Sequence, residues 1–470
     1  MHGVRNFRQT KDRKIYHFRQ GRNIQNSTDG RKPMECLTTK HYKYMDLEKR
    51  YHMIYPESSN ATYTSLLNYS DDLNKPFQRW YRYKEGFSTE MVEQLIREYS
   101  IHKKGVILDP FSGSGSTLLA AAHMGYQGVG FEVNPFSCFL SRCKLESCSG
   151  EEREQFREAY ERILEQASET EQEYVLPGLS ISHKVFEKQV EAYFMRAGQL
   201  METDLNLTEK VRNLLKLGWL SCLEPLSHYR KAGNGLKIKK YVKPRVVTPE
   251  DARNMLLEEY RNIYADLQEH SQQGKTKLYQ DSCLNMNRYL EEKSVEGIIF
   301  SPPYANCFDY TEIYKLELWF GKFVSDYGDL KRLRNQSLHS HLNGDLSPEP
   351  EPESEILEEL LEELKDRKLW DKKIPRMLRL YYRDMFQVLR ESCRVLDKDG
   401  FCCIVVGNSA YGGVVFPADL ILAEYGERTG FAVDKIEVDR YIITSSQQYE
   451  KTKETGKYLR ESVVCLRKNK

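Results

Sequence analysis

GVILDPFSGSGSTLLAAAHMGYQGVGFEV, residues 105–133, decides how the rest of the chain is read. Its first six residues are an apolar run ending in Asp109 and Pro110, the pattern of a buried parallel strand. A turn rich in Gly and Ser follows, then TLLAAAHMG (117–125), a helix that closes at Gly125. GVGFEV (128–133) is a second strand. Strand, glycine turn, helix and strand make a βαβ unit. Gly113 and Gly115 let a ligand approach the backbone, and the helix N-terminus offers free N–H groups. No G-K-[ST] follows, so the turn is not a P-loop, and Leu118 breaks the G-x-G-x-x-G dinucleotide pattern. Glu132 stands 23 residues after Asp109, where a carboxylate can accept hydrogen bonds from ribose hydroxyls.

Outward from this unit the α/β alternation continues, with interruptions. FSTEMVEQLIREY (87–99) is a capped helix with Met91, Val92, Leu95 and Ile96 on one face. KLYQDS (277–282), EGIIFSPP (296–303) and FCCIVVGN (401–408) are strands. Residues 374–396 form an amphipathic helix, and 431–444 with 461–468 form a terminal antiparallel pair. Residues 150–270 break the alternation and are mostly helical and charged.

The chain has 470 residues, 40% hydrophobic and 30% charged, which predicts a soluble globular protein of two to four domain-sized units. No apolar run approaches about 18 residues and no apolar signal region opens the chain, so a cytoplasmic location without membrane association is expected. The eleven cysteines include no C-x2-C pair, which predicts free thiols and no metal site. The net charge of +1 hides an asymmetry. Residues 1–50 carry thirteen Lys and Arg against five acids, 226–247 carry seven and no acid, and 344–366 carry ten acids and one Lys. Such segregation fits either a surface that faces a polyanion or runs that are simply solvated.

The second chemical motif is GIIFSPPYANCFDY (297–310), in which a strand emerges into Ser301-Pro302-Pro303-Tyr304. The two prolines stiffen the backbone and leave its carbonyls free as acceptors. Ser301 adds a hydroxyl and Tyr304 a flat face, together a seat for a planar base whose exocyclic amine is held by Ser301 and a carbonyl.

DPFSGSGST together with SPPY resembles the DNA amino-methyltransferases that use S-adenosylmethionine, and most closely their cytosine-N4 group from restriction–modification systems. The resemblance covers roughly 74–135, 277–320 and 374–468. It implies a Rossmann-like α/β sheet, mostly parallel with a terminal antiparallel hairpin, and a largely helical inserted target-recognition region. It also implies that Asp109, Phe111, Gly113, Ser114 and Gly115 cradle the methionine part of S-adenosylmethionine, that Glu132 holds the ribose, and that Asp281 meets the adenine. RYKEGFST (82–89) stands where the family has another cofactor motif, with Phe87 and Ser88 as contacts, although the commoner K-P pattern is absent. Ser301, Pro302, Pro303 and Tyr304 become the catalytic set. No cysteine follows a proline, which sets aside a cytosine-C5 enzyme.

The segments are expected as a basic N-terminal arm (1–73), the first part of the catalytic domain (74–149), an inserted target-recognition domain (150–270), the SPPY portion (271–321), an acidic insertion (322–370) and the C-terminal catalytic part (371–470). The connection from Glu132 to Asp281 is about 120 residues longer than a plain αβ link needs. Within it SHYRKAGNGLKIKKYVKPR (227–245) is the expected DNA contact. Arg230, Lys231, Lys237, Lys239 and Lys240 suit phosphates, while Arg230, Asn234 and Arg245 suit base edges. Asn408 is an option for reading a flipped base; the acidic insertion is expected to cover an edge, mediate dimers or be mobile, and SHLNGDLSPEPEPESE (340–355) within it reads as a flexible loop. The expected partners are double-stranded DNA and a cognate restriction endonuclease. Adenine-N6 methylation is the nearest alternative; an RNA substrate, a non-catalytic binding module and a nuclease fusion are others.

Overall fold

Twelve strands account for the β-structure of the described residues: β1 Met53–Ile54, β2 Val106–Asp109, β3 Gln127–Phe131, β4 Tyr229–Ala232, β5 Gly235–Ile238, β6 Thr276–Tyr279, β7 Val295–Phe300, β8 Leu396–Gly407, β9 Ser409–Tyr411, β10 Val414–Phe416, β11 Phe431–Tyr441 and β12 Arg460–Lys468. The structure is a computed structural model. It describes residues 41–64, 66, 72–84, 86, 88–101, 105–179, 185–233, 235–240, 247–269, 275–349, 351–442 and 455–469, all within one unit, His41–Lys470.

Eight strands form one sheet in the order β1-β11-β12-β8-β7-β2-β3-β6. All are parallel except β12, which runs antiparallel between β11 and β8. The expected Rossmann-like sheet with its terminal antiparallel hairpin is therefore present. Period-two alternation sorts the strand residues onto two faces. Leu108, Ile298, Phe300, Cys402, Ile404 and Val406 pack with the helix Ile374–Val395, whereas Ile107, Ile299, Phe401, Cys403 and Val405 pack with the helix Thr89–Tyr99. Each such aliphatic side chain contributes about 1.5–3 kcal/mol when fully buried.

Chain order reverses at β2, which has β3 on one side and β7 on the other. In an open parallel sheet the loops at the carboxyl ends diverge at such a point and leave a crevice.

Two segment expectations need correction. Residues 41–64 are not an irregular arm. The helix Lys43–Arg50 and β1 add to the sheet edge, with Met53 opposite Ile436, because Tyr44, Tyr51 and Tyr63 are buried against the body. Residues 1–40 lie outside the described residues. The insert 150–270 is largely helical, as expected, but does not stand apart: its Phe194 and Trp219 share one apolar cluster with Phe136, Tyr314 and Phe320 of the surrounding domain. In the acidic insertion, residues 340–349 and 351–354 carry no helix or strand, in line with the loop expected there, and a helix follows. Its helix Glu355–Leu364 buries Ile356, Leu357, Leu360, Leu361 and Leu364, while Glu355 and Glu362 are exposed and Glu358 pairs with Arg379. Among the described residues, no helix is long and apolar enough to cross a membrane.

Candidate active site at the carboxyl ends of the strands

Four strands end at one cavity of about 990 Å³, open mouth included. The loop after β2 brings Phe111, Gly113 and Ser114; β3 delivers Glu132, β6 delivers Asp281, and β7 delivers Ser301 and Pro303. Residues 180 or more positions apart in sequence thus meet because of strand order alone.

The glycine loop is tightly stitched. Phe111 N donates to Asp109 Oδ1 at 2.9 Å, and Ser112 N donates to the Phe131 carbonyl at 2.9 Å. Gly115 caps the helix Ser116–His123 at φ 82°, and a Cβ there would lie 2.9 Å from Ser141 Oγ. Only glycine fits that position. Ser141 Oγ in turn donates to the Gly113 carbonyl at 2.9 Å. Beneath the loop, the buried Lys144 Nζ donates to the Ser114 carbonyl at 3.2 Å and to Gln78 Oε1 at 2.9 Å, and burial lowers its ammonium to about 7.

Glu132 binds its own surroundings first. Its Oε2 accepts from Gly113 N at 2.8 Å and its Oε1 from Asn134 N at 2.7 Å. Each carboxylate oxygen keeps a second lone pair for a ligand hydroxyl. Burial pushes both the Glu132 and the Asp109 carboxyls up to about 7. At Asp281 burial opposes ionisation too, yet hydrogen bonds from Tyr289 (2.6 Å), Asn285 (2.9 Å) and Ser282 N (2.7 Å) hold the carboxyl below the usual range.

These residues fit S-adenosylmethionine. A glycine turn and helix N-terminus suit its amino-acid end, and ionisable carboxyls suit its cationic charge and ribose. Asn134 Nδ2 is buried at the cavity without a hydrogen-bond partner among the described residues, an unsatisfied donor near the Glu132 carboxylate.

The expected site residues fall into distinct places. Phe111, Gly113, Ser114, Glu132, Asp281, Ser301 and Pro303 line the cavity, while Asp109 and Gly115 lie behind the loop and hold its shape. Pro302 is buried beneath. Tyr304 does not line the cavity; its hydroxyl is tied at 2.5 Å to Glu461 Oε1, and its ring fills the space above Gly407. Ser88 is turned away: its Oγ lies 3.5 Å from Asp72 Oδ1, and Asp72 Oδ2 rather than Ser88 caps the following helix at Thr89 N, 2.7 Å. Phe87 lies outside the described residues.

Asn408 is not a base reader. Its Nδ2 donates to Asp419 Oδ1 and to the Tyr458 carbonyl, both at 2.9 Å, and its Oδ1 accepts from Asp419 N, so its polar atoms are engaged internally.

The basic ribbon divides by face. Arg230 and Lys237 are directly opposed across the antiparallel pair β4–β5 and exposed, and Lys240 is exposed beyond it. Lys231 points the other way and is corrected to a structural residue, its Nζ 2.7 Å from both Glu317 Oε1 and Tyr81 OH. Lys239 is corrected likewise, because it donates to the carbonyls of Glu224, Pro225 and Ser227 at 2.6–3.0 Å and closes a short helix. Asn234 and Arg245 lie outside the described residues.

Sequence reading missed one wall. Leu333, Gln336, Leu338, Ser340 and His341, all from the acidic insertion, line the cavity. Asp309 anchors that wall by accepting from Arg334 Nε at 3.0 Å and Asn343 Nδ2 at 2.7 Å, and His339 Nδ1 lies 2.5 Å from Asp384 Oδ2. Asp309 follows SPPY so closely that a carboxylate in FDY was the available signal.

Comparison with known proteins agrees with this geometry. Residues 5–141 match a family described as DNA methylase, of N6 and N4 type. The chain is 28% identical to the type II methyltransferase M.BsoBI of Geobacillus stearothermophilus over 474 residues, 90% of each chain. It is 29% identical to the type II methyltransferase M.AvaI of Nostoc sp. over 406 residues, 79% of this chain and 82% of that one. Over 64 residues, 14% of this chain and 12% of the other, it is 34% identical to the type II methyltransferase M.MjaII of Methanocaldococcus jannaschii. Glycine loop, SPPY turn and sheet order together define a class, the enzymes that methylate through S-adenosylmethionine. Within that class, the chain is similar to the DNA methylases of N6 and N4 type and to the type II methyltransferases.

Proposed function

We propose that the protein methylates the exocyclic N4 of cytosine in double-stranded DNA, at a specific site, as the modification half of a restriction–modification system whose endonuclease is its functional partner. The observation that carries this reading is Ser301, at the end of β7, in one cavity with Gly113, Glu132 and Asp281. When bound there, S-adenosylmethionine supplies a methyl group activated by its sulfonium.

The residues of the chain do the rest. Glu132 accepts from the ribose and Asp281 from the adenine amine. An exocyclic pyrimidine amine is a poor nucleophile because its lone pair is delocalised. Ser301 Oγ and the Pro302 carbonyl accept its N–H bonds, draw electron density onto nitrogen and orient it. Positioning of this kind supplies most of the acceleration, without a covalent intermediate. A serine, rather than an aspartate or asparagine, at the head of the motif favours cytosine. An amine inside the base stack is out of reach of a site within a crevice, so the target flips out of the duplex.

DNA approaches along the exposed face of β4–β5, where Arg230, Lys237 and Lys240 meet phosphates or guanine edges. That ribbon packs beside the helix Tyr310–Ile313, whose first residue lines the cavity. The test is mass spectrometry of nucleosides from the DNA of cells that lack modified bases and express the chain. N4-methylcytosine is expected. N6-methyladenine would overturn the reading of Ser301 while leaving the class intact.

A further inference from the structure

Tyr304 is held by a chain of polar contacts that ends on the last strand of the sheet. Ser301 Oγ lies 3.4 Å from Tyr304 OH, and Tyr304 OH lies 2.5 Å from Glu461 Oε1. Arg440 Nε and a terminal guanidinium nitrogen meet Glu461 Oε2 at 2.7 and 2.6 Å. The register builds this arrangement: Glu461 of β12 faces Arg440 of β11 on one side and Gly407 of β8 on the other. Gly407 leaves the space that Tyr304 occupies, since a Cβ there would stand 2.8 Å from the ring.

The direction of the hydrogen bonds follows from the chemistry of the groups. A carboxylate can only accept, so Tyr304 must donate to Glu461. The tyrosine oxygen is then left as an acceptor, and Ser301 must donate to it. Only lone pairs of Ser301 remain toward the cavity. We infer that Glu461, backed by Arg440, is a positioning residue that fixes the hydroxyl chain Ser301–Tyr304–Glu461, so that Ser301 presents an acceptor and never its proton to the target amine. This rests on the function proposed above. Arg440, half exposed, pairs with Glu461 while Glu461 itself is nearly buried, and the low local dielectric strengthens the bond to Tyr304. A glutamine at 461 could donate through its amide, reverse the chain and aim the Ser301 proton at the amine.

The experiment measures steady-state transfer of labelled methyl from S-adenosylmethionine to unmethylated genomic DNA by the full chain. Glu461→Gln is expected to lower kcat about 10- to 100-fold, with KM for DNA and calorimetric affinity for S-adenosylmethionine unchanged. Tyr304→Phe keeps the ring and should give the same loss, and the double variant should be no worse than either single. Unchanged kcat in Glu461→Gln, or losses that add in the double variant, would overturn the inference. If Glu461→Gln fails to bind S-adenosylmethionine, Tyr304→Phe decides: a fall in kcat at constant KM supports the relay and full kcat overturns it. A wild-type chain that transfers nothing to DNA overturns the proposed function itself, and the relay with it.

Discussion

Glu132 shows how one side chain serves both scaffold and chemistry. It closes the glycine loop through Gly113 and Asn134 while facing the cavity. Its carboxyl is raised by burial to about 7, and a ribose hydroxyl needs the ionised form as acceptor. Binding of S-adenosylmethionine should therefore release protons. Affinity measured by calorimetry should rise by up to roughly tenfold per pH unit below pH 7 and level off above about 8, and Glu132→Gln should flatten the profile. For folding the sign is opposite. The folded chain keeps the Glu132 and Asp109 protons to about pH 7, whereas an unfolded chain loses them near pH 4. Both groups thus favour the fold more at pH 5 than at pH 8. The positions of Asp109, Glu132 and Ser301 at the crevice end of the sheet were legible in sequence because each stands where an apolar strand stops. The cap of the helix Thr89–Tyr99 was not legible, for a physical reason. A serine before a helix looks like its cap, but Asp72 reaches in from 17 residues before Thr89 and supplies a stronger acceptor.

At the scale of elements, the β4–β5 ribbon separates charge by face. Seven basic residues in 226–247 read alike in sequence, yet strand alternation sends Arg230 and Lys237 outward and Lys231 inward to Glu317. Two different outcomes follow. Replacing Arg230, Lys237 and Lys240 by Ala together should reduce the slope of log K for DNA against log salt by up to about 3, with stability unchanged; an unaltered slope would remove the ribbon from the DNA interface. Lys231→Met should instead leave Glu317 buried without its cation and cost about 3 kcal/mol of stability, read by denaturant unfolding. The acidic insertion was opaque to sequence reading because its composition is that of a solvated linker. Its hydrophobic stripe, Ile356 to Leu364, has helical period but is short, and the contacts of Asp309 and Asp384 that fix the segment before it come from other parts of the chain.

Across the whole molecule, the mostly parallel sheet and its terminal antiparallel pair were legible from the strands and helices, and the strand order and the folding of the long excursions were not. What closes the far edge is a buried charge network. Arg460 Nε donates to Asp419 Oδ2 and its guanidinium also to Glu48 Oε1, both at 2.7 Å, which ties β12 to the helices Ala418–Thr429 and Lys43–Arg50. Burial alone would raise the Glu48 carboxyl, but Arg460 and Tyr458 lower it to about 2. Its contribution is complete above the unfolded value near 4.5 and is lost as pH falls toward 2. Arg460→Met should cost about 3–5 kcal/mol and shrink that acid-side loss, and equal unfolding curves for the two chains would contradict the network. In the proposed function one crevice, at the β2/β7 switch point, carries the transfer. The most direct test is incubation of the purified chain with labelled S-adenosylmethionine and unmethylated DNA, followed by separation of the nucleosides, beside Ser301→Ala. Label in N4-methylcytosine, lost in Ser301→Ala while cofactor binding persists, is the predicted result; wild-type protein that binds S-adenosylmethionine but leaves the DNA unlabelled would contradict it.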